Sequence, residues 1–150
     1  MTETDRTVDA LARLLDERDV LEVIYDYCEA ADADTPDAFV DHFTEDGLFT
    51  YRASADAPLS LECRGRAELE KWFVERLPVV PPGTMNHTTV HPRVSVAGDT
   101  AESRSRFVSV RARDGGLFVA STGSYRDRLV RCEDGRWRFA ERHSIGDMPR

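Results

Sequence analysis

A chain of 150 residues, 41% hydrophobic and 32% charged, has the composition of one soluble globular domain, large enough to enclose a core and a modest pocket. Its formal net charge of −8 argues against nucleic-acid binding, which needs a clustered basic surface; the arginines that recur from Arg104 to Arg142 are interleaved with acids and read as solvated strand faces. No apolar run has the length of a membrane span and the opening MTETDRTVDA has no apolar signal core, so a cytoplasmic protein without a membrane segment is expected.

From about Thr7 to Ala31 the residues Val8, Leu11, Leu14 and Leu15, then Val20, Leu21, Ile24, Tyr25 and Cys28, recur at helical spacing on either side of the polar stretch Asp16 to Asp19. This pattern predicts one long or kinked amphipathic helix. A second, short helix is expected in DADTPDAFVDHF, with Thr35 as N-cap, Pro36 in the first helical position, and Ala38, Phe39 and Phe43 as its apolar face. EDGLFTYRA opens a strand, and LECRG reads as another beyond the loop containing Pro58. Leu69, Trp72, Phe73 and Leu77 make RAELEKWFVERL a third helix, which PVVPPG stops. After it, NHTTVHPRVSV, SRSRFVSVRA, LFVASTGSYRDRLVR and WRFAERHSI are separated by the glycine-containing turns AGDT, RDGG and CEDGR. That alternation describes an antiparallel meander of four strands. Helices first and a meander last define an α+β fold over residues 1–150: about three N-terminal-half helices cover one face of a curved, mainly antiparallel sheet, which rolls into a cone around a pocket.

His87 and His91 stand four positions apart in NHTTVH. In a helix they would form a chelating pair, but the β-branched Thr88, Thr89 and Val90 and the following Pro92 favour a strand, where residues four apart lie about 13 Å from one another. One metal ion cannot take both, and no metal site is expected. His87 reads either as a proton shuttle facing the pocket or as a partly buried imidazole satisfied by a backbone carbonyl; His91 falls at the rim or in a bulge beside Pro92. Asp32 ends the first helix, where the helix dipole disfavours a carboxylate and Thr35 already caps the next helix, so it reads as a solvated loop residue or as a pocket acid. Helical geometry places Tyr25, not Tyr27, on Asp32's face. Tyr51 alternates with Phe49, so both can point inward. His143 follows Trp137, Phe139 and Glu141 at strand alternation and either lines the cavity or sits exposed; His42 reads as solvated. Cys28, Cys63 and Cys132, odd in number and without a C-x-x-C pair, read as reduced structural residues.

The first helix ending in AADAD, then FVDHFTEDGLFTY, RGRAELEKWF, HTTVHPRVSVAGDTAE, GSYRDRLVR and DGRWRFAER together resemble the SnoaL-like branch of the nuclear-transport-factor-2-like superfamily. Its cone folds include scytalone dehydratase, bile acid 7α-dehydratase, ketosteroid isomerase and limonene epoxide hydrolase. The resemblance implies that Asp32 matches the dehydratases' helix-end acid and His87 their strand general acid/base. It likens Tyr51 to a tyrosine that polarises substrate through water in scytalone dehydratase, and Tyr27 to the tyrosine of the bile acid enzyme. Val110 stands about where that enzyme has a further carboxylate. The activity so implied is that of a lyase or isomerase without cofactor, acting on a small hydrophobic oxygenated molecule of polyketide, terpenoid or steroid kind. Phe49, Trp72, Met85 and Phe107, with Tyr25 and His143, would line its site. An epoxide hydrolase or polyketide cyclase, and a non-catalytic ligand-binding or assembly domain, are the alternatives. A homodimer through the exposed outer sheet face is also implied.

Overall fold

The computed structural model describes residues 1–149. Its first element, α1 (Glu3–Asp32), starts earlier than the apolar pattern indicated, because Thr2 and Asp5 form a capping box: each side chain accepts the other's backbone N–H. The apolar stripe divides into two parts. Val8, Leu11, Leu14 and Leu15 are exposed, whereas Val20, Ile24, Tyr27, Cys28 and Ala31 are buried against the body of the protein. The polar stretch between them marks where the helix meets that body, with Asp16 paired to Arg131 at 2.7 Å.

Helix α2 (Pro36–Val40) is one turn long; Thr35 precedes it without a side-chain cap bond, and Phe43 leaves the helix to begin β1 (Phe43–Arg52). After β2 (Leu61–Arg64), Gly65 at φ +80° leads into α3 (Arg66–Arg76). The meander comes next as β3 (Met85–Ala97), β4 (Thr100–Arg113), β5 (Gly116–Arg131) and β6 (Trp137–Gly146). All six strands form one sheet in the order β2-β1-β6-β5-β4-β3, antiparallel except where β1 runs parallel to β6. Among the described residues no helix is long and apolar enough to cross a membrane.

Three one-residue bulges bend this sheet, at His91–Pro92 in β3, Ala120 in β5 and Ala140 in β6. The bend lets the inner face wrap a core in which Phe39, Phe43, Phe73, Phe139, Leu69, Leu129, Ile24 and Val20 are fully buried. Phe39 stacks on Phe73 with ring centroids 4.5 Å apart, which joins α2 to α3. At Gly123 the strands and the Phe107 ring close in so tightly that an added Cβ would stand 2.5 Å from Phe107 Cε1 and would also strike the Ile145 carbonyl oxygen. Gly123→Ala is therefore expected to lower the urea midpoint by an amount equivalent to about 1–3 kcal/mol, with the slope of the transition unchanged.

Candidate active site

The last residue of α1 meets the third residue of β3. Asp32 Oδ2 accepts the backbone N–H of His87 at 2.7 Å, and its Oδ1 lies 2.5 Å from His87 Nδ1. With both carboxylate oxygens engaged, Nδ1 carries the proton toward Asp32 and Nε2 is the ring nitrogen left free to accept one. The two side chains are 16% and 15% exposed, so the bond sits largely out of water.

His87 is a partition between two spaces. On the inner side is a cavity of ≈ 310 Å³, lined by His87 with Tyr27, Phe49, Tyr51, Trp72, Arg76, Phe107, Ser121, Tyr125 and Ser144 among others. On the outer side an open groove of ≈ 570 Å³ runs past Tyr25, Cys28, Glu29, Asp32, Asn86 and His87. The larger space is the shallower one. The inner cavity, walled by aromatic and hydroxyl-bearing residues, has the character of a small-molecule site.

The helical wheel was right that Tyr25 shares Asp32's face, but that face looks into the outer groove. Tyr25 is 47% exposed there, while Tyr27, turned about 140° from Asp32, is buried in the cavity wall. Phe49, Tyr51, Trp72 and Phe107 line the cavity. Met85, half-buried at the start of β3, is outside the lining set. His143 is on the outer face, its Nδ1 2.8 Å from Thr50 Oγ1 and its Nε2 3.3 Å from Glu141. The Ala140 bulge causes this: Phe139 faces in, one extra residue intervenes, and the inward series resumes at Arg142 and Ser144 instead of Glu141 and His143. His91 likewise turns outward, at φ +51° in its own bulge. His42 is not solvated; it is half-buried, its Nδ1 2.7 Å from the Ala38 carbonyl, and burial lowers its pKa. All three cysteines are free, and no cluster of three metal-ligating side chains occurs among the described residues.

Sequence reasoning missed the closed end of the cone. Arg142 is fully buried, with its guanidinium carbon 3.7 Å from the Tyr125 ring centroid, 4.1 Å from Tyr27 and 4.5 Å from Phe139. Asp127 stands 3.6 Å away. Burial raises the Tyr27 hydroxyl to about 12, with Arg142 pulling in the opposite sense, and raises Tyr125 as well. Both phenols therefore stay protonated at neutral pH, and both residues line the cavity. Arg76, over the Trp72 and Phe73 rings, donates to the Ala31 carbonyl at the end of α1. Tyr125 had a legible signal in the alternation Gly123, Tyr125, Asp127, Leu129; Arg142 had none.

The family profile of the SnoaL-like domain matches residues 12–143. The chain belongs to the SnoaL-like family. Among solved structures, this SnoaL-like chain is similar to an NTF2-like protein with a cystatin-like fold from Novosphingobium aromaticivorans, at 25% identity and a TM-score of 0.80, covering 95% of this chain and 90% of that one. A protein of unknown function from Mycobacterium tuberculosis matches at 25% identity and a TM-score of 0.75, over 99% of this chain and 78% of the other. A candidate scytalone dehydratase from N. aromaticivorans shares the fold at 20% identity and a TM-score of 0.71, over 90% and 86%. No functionally curated protein matches the sequence.

Burial raises the Asp127 carboxyl from its ordinary value to about 6, against the opposing pull of Arg142. A carboxyl raised in the folded state contributes stability below its unfolded value and loses it as pH rises through the folded one. Unfolding free energy should fall by roughly 3 kcal/mol from this group between about pH 4 and 6, and Asp127→Asn should flatten that limb. Urea titrations of both proteins across this range check it; equal slopes would remove Asp127 from the account.

Proposed function

We propose that this SnoaL-like domain is a lyase or isomerase of the dehydratase type, acting on a small hydrophobic molecule that carries a carbonyl and a hydroxyl group. One observation carries the reading: Asp32 holds both the ring Nδ1 and the backbone nitrogen of His87, so Nε2 is the free ring nitrogen of a residue that borders the cavity. In this scheme Nε2 removes a proton from the carbon beside the carbonyl, and the C–H electron pair passes to the carbonyl oxygen. Asp32 stabilises the imidazolium that forms. As the enolate collapses, a carbon–carbon double bond forms, the carbon–oxygen bond to the hydroxyl breaks, and the imidazolium proton leaves with that hydroxyl as water. In this reading the hydroxyls of Tyr27 and Tyr51, two residues that line the cavity, donate to the oxygen on which charge develops, where one well-aimed donor is worth about 3–4 kcal/mol. Phe49, Trp72 and Phe107 supply the apolar walls.

The reading includes a cytoplasmic setting, in keeping with three free cysteines. It also includes a homodimer, but through α1 rather than the outer sheet face. The N-terminal half of α1 leaves Val8, Leu11, Leu14 and Leu15 exposed on one side. An antiparallel pair crossing at Leu11 sets Val8 of each copy against Leu14 of the other and brings Arg18 to the acidic first turn, Glu3 and Asp5, of its mate.

Against a panel of β-hydroxycarbonyl compounds, His87→Gln and Asp32→Asn should each reduce kcat by about 10²–10⁴ while ligand binding persists. Turnover unchanged in both variants sinks the dyad, and a wild-type protein that binds the panel without turnover is a binding domain. Light scattering coupled to size exclusion should show a wild-type dimer and a folded Leu11→Glu monomer; a dimer that survives the substitution takes α1 out of the interface.

A further inference from the structure

Two neighbouring rows of side chains on the outer sheet face differ in kind. In one, strand register sets Glu102, Arg128 and Glu141 side by side, and Arg128 bonds Glu141 at 2.9 Å. The signs alternate along this row, and Arg128 and Glu141 satisfy one another. In the next, Arg93, Arg104, Arg126 and His143 stand directly opposite one another across β3, β4, β5 and β6. His143 is held by Thr50 and Glu141. Elsewhere on this face Arg106 pairs with Asp147, but Arg93, Arg104 and Arg126 have no carboxylate partner among the described residues. Like charges opposed on neighbouring strands repel, and this fold carries three of them in line although acids outnumber bases 28 to 20 in the chain.

The surface over the three arginines is open and shallowly recessed. A groove of ≈ 330 Å³ is lined by the three arginines together with Arg106, His91 and Ser124, and no acidic residue borders it. The β3 bulge supplies His91, whose positive φ is the local distortion that takes its side chain to the outer face. The groove and the His87 cavity lie on opposite faces of the sheet.

We propose that this groove binds a multivalent oxyanion of the diphosphate class, free or as the end group of a larger molecule. Guanidinium forks match phosphoryl oxygens two at a time. With strands about 4.8 Å apart, the outermost of the three arginines are separated by about 10 Å at the backbone. A single tetrahedral anion engages two neighbouring arginines; two linked phosphoryl groups reach all three. Such an occupant also relieves the repulsion along the row, so binding stabilises the fold.

Isothermal titration with inorganic pyrophosphate tests this. Binding of one equivalent per chain is expected, at least about tenfold tighter than orthophosphate and weakening as salt is raised. Arg104→Gln and Arg126→Gln should each weaken it by about tenfold or more, while Arg64→Gln, at the far edge of the sheet beside Glu62, leaves it unchanged. Absence of binding overturns the proposal, as does an equal loss in Arg64→Gln. So does a change in oligomeric mass on Arg104→Gln, which assigns the row to a contact between copies.

Discussion

Arg142 carries a full positive charge into the closed end of the cone, where none of its side chain meets solvent, and the surrounding architecture answers that charge. Taking a guanidinium out of water costs several kcal/mol unless partners offset it. Asp127 from β5 supplies the counter-charge, and Tyr27 from α1, Tyr125 from β5 and Phe139 from β6 supply ring faces. The guanidinium nitrogens and both Asp127 oxygens lack hydrogen-bond partners, so stacking and charge hold the group rather than a fixed hydrogen-bond pattern. One buried cation thus ties the long helix to the centre of the sheet. It also sets an electropositive floor behind two phenols that face the cavity.

The contact between Asp32 and His87 depends on that anchoring. Tyr27 fixes the rotation of α1, and five residues later Asp32 arrives behind β3 at the height of His87. Arg76 closes the end of the helix by taking the Ala31 carbonyl, so the last turn is held from α3 as well as from β3. The carboxylate contacts the outer groove and the imidazole borders both spaces. Orientation of the imidazole is therefore provided from outside the inner cavity.

Much of the fold was legible because it is written in local periodicity: apolar residues at helical spacing, then four β-rich runs punctuated by glycine turns. The pairing of Asp32 with His87 spans 55 residues and was visible only through resemblance to a family, since no local pattern links a helix end to a strand interior. His143 was misread for a definite reason. Ala140 looks like any strand residue, yet as a bulge it reverses which residues of β6 face inward. The same one-residue shift separates His91 from His87. The arginine row was hidden differently: in chain order acids interrupt the arginines, and only cross-strand register removes the acids from between them. Tyr25 shows that a correct helical wheel still needs to know which side of the helix the cavity occupies.

The five-residue step from Tyr27 to Asp32 has a consequence for how this chain can change over generations. A single inserted or deleted residue there would turn everything beyond it by about 100° and slide it by about 1.5 Å, separating the carboxylate from its histidine while Tyr27 stayed with Arg142. Within this step the exposed side chain at position 29 can change without moving either end; the number of residues cannot. By contrast, the turn at Gly115, open around its Cα, can absorb extra residues.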